Sequence, residues 1–277
     1  MINSLITFDN LFFLILMIAA AIPVGFFAGL FGIGGGLISV PFLFFIFDAL
    51  YADKSYTMHL AVGTAFTITI LTSSVSVLTH RKHGAVDFNI LKIFGLFVVS
   101  GVLAGTFLAS FMNTKSLVLF FSVIVFIFGA YLLLLQEKSN KIKPNFGIFP
   151  KALLGFISGI ISAPMGITGA MMNVPILRYF GYPINKAIGS AAAIGFIISL
   201  SGSIGFFVSG LYLNANNPHS VGFINIPAFI IFVPLTTLMA RIGANTVHKM
   251  NKIKAQRMFG IFLYVIGTIF LYRFLNL

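Results

Sequence analysis

The chain has no cysteine. Disulfides, thiol chemistry and cysteine-based metal sites are therefore excluded. Acidic residues are almost as scarce. Only Asp9, Asp48, Asp53, Asp87 and Glu137 carry a carboxylate, and all five fall at span ends or in loops. With none at mid-span, the sequence argues against a carboxylate proton relay. It also lacks the paired aspartates of intramembrane aspartyl chemistry and the acidic metal ligands of phosphoryl transfer. A cationic substrate would find no charged partner. Charge of either sign amounts to 8% of the residues, against about 25% in a soluble domain. Such a chain cannot cover a water-facing surface.

What is present is apolar. Hydrophobic residues make up 59% of the 277 positions, and the mean hydropathy is +1.07. Apolar stretches fall at 11–48, 57–79, 89–111, 116–136, 150–180, 186–209, 223–247 and 256–276. Most are long enough for a helix to cross a hydrocarbon core of about 30 Å. Nothing resembles the alternating strands of a barrel. Residues 11–31 could mimic a signal peptide, but no Lys or Arg precedes them, so they are read as part of the mature fold. The expected fold class is an all-α polytopic membrane protein, multi-pass in a bacterial inner membrane.

Two stretches are interrupted at matching places. Residues 25–41 read GFFAGLFGIGGGLISVP and residues 159–175 read GIISAPMGITGAMMNVP. A constant offset of 134 aligns Gly25, Gly32, Gly35, Val40 and Pro41 with Gly159, Gly166, Gly169, Val174 and Pro175. The correspondence continues. An offset of 126 aligns residues 61–65 with 187–191 and Gly84 with Gly210; an offset of 138 aligns Gly105, Met112 and Asn113 with Gly243, Met250 and Asn251. These offsets predict a duplication: repeat 1 over 1–137, a cytoplasmic linker over 138–149 and repeat 2 over 150–277. Each repeat is one broken, re-entrant hairpin (11–48 or 150–180) followed by three spans.

The charges orient this plan. Loops near 80–92, 137–151, 178–186 and 241–257 hold 14 of the 17 basic residues, which places them in the cytoplasm. Segment 150–180 then starts and ends inside, while 11–48 starts and ends outside. The break in segment 150–180, near Pro164 to Gly169, leaves pieces of about 14 and 11 residues, and neither is long enough to cross alone. Three crossings per half invert the second repeat relative to the first. If each broken segment crossed only once, the basic cluster at 241–257 would fall outside. The net charge of +12 is thus a topology signal. It is not a nucleic-acid footprint, since no aromatic platform is interleaved with it.

Matched interruptions in two halves point to a transporter site near the midplane. A non-helical turn in a membrane survives only where protein or a water-filled cavity satisfies its backbone. The arm after each break begins a half-helix whose N–H groups favour anions. The candidate substrate-binding residues are Gly32, Gly34, Gly35, Gly36 and Ser39 at the first tip, and Gly166, Thr168, Gly169 and Asn173 at the second. Thr64 and Ser190 join them as equivalent hydroxyls beside Gly63 and Gly189. Against this stands a simple packing role for glycines that let helices approach, which fits Gly25, Gly29, Gly155 and Gly159. The hydroxyls of Thr67, Thr72, Ser73, Ser74, Ser199, Ser201 and Ser203 are read as bonded to their own or neighbouring helices. Arg241, at the inner end of its span, either snorkels or faces a substrate path, and the first reading is favoured. His80 and His83 offer too few ligands for a metal, and no histidine lies at mid-span to activate a serine. No metal, cofactor or enzymatic activity is expected, and a soluble dinucleotide fingerprint is excluded.

The run Gly25, Gly29, Gly32, Gly34, Gly35, Gly36, Val40 and Pro41 resembles the TauE/SafE family of membrane permeases. So do Ala61, Gly63 and Thr64, then His80, Gly84, Val86 and Asp87. The echo in Val174, Pro175, Ala187, Gly189 and Ser190 extends the likeness over nearly the whole chain. The resemblance implies movement of small sulfur- or carbon-containing oxyanions, such as sulfite, sulfoacetate and related organosulfonates. The second tip departs from the pattern: Thr168 and Ala170 stand where the first has Gly34 and Gly36. It is expected to be narrower or hydroxyl-lined. The expected partners are a small anion and the lipid bilayer, with no nucleic acid. An anion channel and a structural subunit whose tips merely pack stay open as alternatives. So do the substrate, the direction, a coupling ion (H⁺ or Na⁺) and the oligomeric state.

Overall fold

The computed structural model describes residues 8–31, 35–51, 53–134, 147–215, 217–247 and 252–277. In hydrocarbon each backbone group must be satisfied within its own segment, and the apolar stretches accordingly fold as helices. Their order is α1 (Phe8–Phe31), α2 (Gly36–Leu50), α3 (Thr57–Lys82), α4 (Phe88–Ile90), α5 (Leu96–Ser110) and α6 (Thr114–Leu134). There follow α7 (Ile148–Met165), α8 (Ala170–Tyr179), α9 (Ile184–Tyr212), α10 (Ile226–Val247) and α11 (Lys252–Leu275). A π-helical turn, Leu91–Gly95, joins α4 to α5 in one rod. Among the described residues eight helices are long and apolar enough to cross a membrane. Their outer faces carry large exposed apolar side chains, such as Ile15, Phe107, Leu134, Ile230 and Tyr272, a surface suited to lipid. The protein is an all-α polytopic membrane protein.

Two expectations need correction. The seventh stretch was expected to be helical from residue 223. Instead its start forms a two-residue ribbon, Ser220–Val221 against Ile224–Asn225, and α10 begins at Ile226. The first arm of the fifth stretch is also longer than the expected 14 residues, although the break falls within the expected interval, between Gly166 and Gly169. A proline removes one helical hydrogen bond, but α7 runs on through it and ends at Gly166, whose left-handed φ of 67° caps the helix. The first arm is therefore 18 residues long, about 27 Å, and long enough to span.

The helices pair across the two halves. α1 packs against α10, α7 against α5, α3 against α9 and α6 against α11. The small residues that permit the first two contacts correspond. Gly25 packs on Thr236, and Gly159 packs on Val98, the same relation under offsets of 134 and 138. Gly84 and Gly222 share a left-handed backbone, with φ of 62° and 58°.

Loop contacts define the two ends of the bundle. At one end a shallow groove brings together Asn89 and Phe94 at the start of the α4–α5 rod, Lys151 of α7, and Phe180 and Tyr182 after α8. Burial there, with Asp87 nearby, raises the Tyr182 phenol above its ordinary pKa. At the other end Thr114 donates to the Ser55 carbonyl at 2.8 Å, Asn225 Nδ2 donates to Tyr51 at 2.9 Å, and Arg273 pairs with Asp48 at 2.8 Å. Hairpin α7–α8 thus begins and ends at the first, basic end. Hairpin α1–α2 finishes at the opposite end.

Candidate functional site

The site is built where the two hairpins break. Gly35 precedes α2 and Gly169 precedes α8, each as the helix N-cap. Their φ values are 87° and 75°, a left-handed conformation costing an ordinary residue about 1–2 kcal/mol. Each carbonyl then starts its helix in the same way. The N–H of Ser39 donates to Gly35 at 2.8 Å, and that of Asn173 donates to Gly169 at 2.7 Å. The reversal brings the tips together. A Cβ on Gly36 would strike the carbonyl oxygen of Gly166 and would come within 3.6 Å of Thr69. One on Gly195 would stand 2.6 Å from the Thr168 carbonyl oxygen. Thr69 and Gly195 lie near the middles of α3 and α9, so the tips meet at half height.

A cavity of about 270 Å³ opens beside the first tip. Gly35 and Ser39 form its inner end. Val24, Ala28 and Gly29 of α1 give an apolar wall. Thr69, Thr72 and Ser76 line it from α3, and Thr236, Thr237 and Arg241 from α10. Arg241 is exposed and makes no ion pair among the described residues. The positive end of the α2 dipole and the guanidinium therefore address one space. Several lining hydroxyls are bonded back to their own helices: Ser39 to the Gly35 carbonyl (3.0 Å), Thr236 to Phe232 (2.6 Å) and Thr237 to Val233 (2.7 Å). Each can turn its proton to a ligand oxygen by rotating about its C–O bond.

The predicted residues divide into groups. Gly35 and Ser39 line the cavity, and Gly36 touches Gly166 at the tip contact. Gly32 and Gly34 lie outside the described residues. Thr168 packs on Gly195, while Gly169 and Asn173 form a buried polar corner away from the cavity. Thr64 and Ser190 are not at the tips. Thr64 Oγ1 accepts from the Asn225 N–H at 2.9 Å, and Ser190 Oγ accepts from the Asp87 N–H at 3.0 Å. Asn225 and Asp87 begin α10 and α4, so these hydroxyls hold two equivalent helix starts. Sequence reasoning passed over Thr69, Ser76, Thr236 and Thr237, and favoured snorkelling over a substrate path for Arg241, which lines the cavity. The available signal was spacing. Thr69, Thr72 and Ser76 fall on one face of α3, and Thr237 stands one turn before Arg241.

An apolar bundle whose broken helices bracket a small, largely apolar cavity edged by hydroxyls and one arginine fits a class, the multi-pass α-helical membrane transporter. The description "Sulfite exporter TauE/SafE" matches residues 16–270. The chain belongs to the TauE/SafE family of membrane transporters. It is 28% identical over 256 residues to a "Probable membrane transporter protein" of Haemophilus influenzae, covering 92% of this chain and 97% of that one. It is 27% identical over 274 residues to "Probable membrane transporter protein MJ0441" of Methanocaldococcus jannaschii, covering 95% and 97%. With "Probable membrane transporter protein YunE" of Bacillus subtilis it shares 24% over 215 residues, covering 71% and 79%. No solved structure matches the chain.

Proposed function

We propose that the protein is a secondary transporter of a small anion in a bacterial inner membrane, with a sulfur oxyanion such as sulfite or an organosulfonate as substrate. One observation carries the reading: Arg241, the one cation among the described residues that line the cavity, shares it with the left-handed Gly35 start of α2. Among the described residues no carboxylate lines the cavity, so an anion meets no repulsive partner from them. The family description, sulfite exporter, agrees with this charge.

We infer further that the chain is two repeats, 1–137 and 150–277, set in opposite orientations. The exchanged packing of α1 with α10 and α7 with α5 supports this, as do hairpins closing at opposite ends of the bundle. With the basic end in the cytoplasm, the Arg241 cavity opens inward and the tip contact closes the way outward. Transport then requires the two repeats to rock about the tips, so that access alternates. The reading assigns no catalytic role to any residue.

The test is thermal stability of purified protein against sulfite, sulfate, sulfoacetate, taurine, acetate and chloride. A ligand at one hundred times its Kd stabilises the folded state by about 2.7 kcal/mol. Stabilisation by one anion class, followed by saturable flux of that class in liposomes, is the expected result. Stabilisation by none of the six, with no flux, refutes the anion reading.

A further inference from the structure

The cavity has a closed counterpart across the tip contact. The offsets between the halves carry Gly35 to Gly169, Ser39 to Asn173, Ala28 to Ser162 and Val24 to Ser158; on the facing helices they carry Thr72 to Ile198 and Arg241 to Leu103. The counterpart is filled. Ile198 Cδ1 lies 2.6 Å from the point a Cβ on Gly169 would occupy. Its polar groups are also redistributed. In the first half they stand mainly on α3 and α10, whereas here they stand on the hairpin itself.

Ser158, Ser162 and Asn173 are all fully buried. Ser158 donates to Asn173 Oδ1 at 2.8 Å. Asn173 Nδ2 and Ser162 Oγ have no hydrogen-bond partner. Leaving a buried polar group unpaired costs about 1–3 kcal/mol, so a folded protein keeps few of them without a use. Asn173 Nδ2 is aimed at the first turn of α8, lying 2.5 Å from the Cβ position of Gly169. There the helix presents its own N–H groups and the positive end of its dipole. An unpaired amide NH₂, a hydroxyl and a helix N-terminus are all donors. They suit an acceptor-rich ligand such as an oxyanion. With leucine in the place of Arg241, the charge is left to the helix end, so a singly charged oxyanion fits better than a doubly charged one.

We propose that Ser158, Ser162, Asn173 and the first turn of α8 form a second oxyanion station. It fills when hairpin α7–α8 opens as hairpin α1–α2 is open here, and when Ile198 swings aside. The inference rests on the anion-transporter reading. The station is neutral, holds the anion less tightly than the Arg241 cavity and hands it on toward the opposite face.

The test is Asn173→Leu in the full-length protein, with sulfite as the probe and sulfoacetate as a second probe. Leucine keeps the volume and removes the unpaired amide. The expected variant melts somewhat below the wild-type temperature, because Ser158 loses its acceptor, and keeps the stabilisation that either anion gives through the Arg241 cavity. Its flux in liposomes falls about tenfold or more, the equivalent of one hydrogen bond to a charged group. Wild-type flux in Asn173→Leu overturns the inference alone and leaves a corner that merely encloses a water. Loss of anion-induced stabilisation along with flux overturns the separation into two stations. A wild-type protein that moves neither anion removes the transporter reading and this inference together. Should Asn173→Leu not fold, Ser162→Ala, which removes a single oxygen, is expected to lower flux by severalfold, and unchanged flux there also overturns the proposal.

Discussion

Replacing Arg241 with glutamine removes the one positive charge from the cavity wall and nearly preserves its reach. Two unit charges 4 Å apart attract by about 1 kcal/mol in water and by about 4 kcal/mol at an effective dielectric of 20. Arg241 is exposed at the cavity rim, so its interaction with a bound anion falls between these limits. A hydrogen bond to a charged group, about 1.5–3 kcal/mol, gives the same range. The midpoint, near 2 kcal/mol, corresponds to roughly thirtyfold in affinity. Folding is expected to be unaffected, because the guanidinium is exposed and makes no ion pair among the described residues. Arg241→Gln should therefore melt like the wild type while its half-saturating sulfite concentration rises about thirtyfold. Arg241→Lys keeps the charge but loses the planar fork that grips two oxygens at once, and should sit between them. Raising the salt should narrow the gap between wild type and glutamine, since an exposed charge is screened. The assay is initial-rate flux into liposomes across a range of sulfite concentrations at two ionic strengths. An Arg241→Gln protein that saturates at the wild-type concentration would refute the cavity as the anion site.

Leucine at Gly35 or Gly169 forces a side chain into the left-handed conformation at a tip; transport should vanish while the protein still inserts and folds, and unchanged flux in both variants would count against the tips. Thr64→Val and Ser190→Ala each leave a helix-start N–H without its acceptor, which should lower stability by about 1–3 kcal/mol. Melting curves would register that loss, while half-saturation for sulfite should stay at the wild-type value; a large shift in half-saturation would return these two hydroxyls to the binding site.

Much of the architecture was legible before any coordinates. The expected spans 57–79, 89–111, 116–136 and 256–276 became α3, the α4–α5 rod, α6 and α11 within a few residues. The paired interruptions became two helix starts with the same left-handed glycine. Equivalent positions carry a structural task that the sequence does not show. Thr64 and Ser190 do occupy matching positions, but the shared task of those positions is to hold Asn225 and Asp87, which lie 161 and 103 residues away. Arg241 left two readings open. A cation near the end of an apolar span looks the same whether it reaches for lipid headgroups or lines a cavity.

The sequence by itself determined the class of protein, the helix count within a hairpin, and the places where the chain breaks. It could do so because hydrocarbon forces backbone groups to pair locally, and because glycine and proline mark where pairing stops. Only the tertiary structure decided which side of each helix looks inward. Helices that are apolar all round carry little record of their buried face. The contact of Gly36 with Gly166, the cavity at Arg241 and the unpaired amide of Asn173 arise from segments more than a hundred residues apart, or from a hairpin folded back on itself. Those meetings depend on how whole helices pack, which no local pattern of residues encodes.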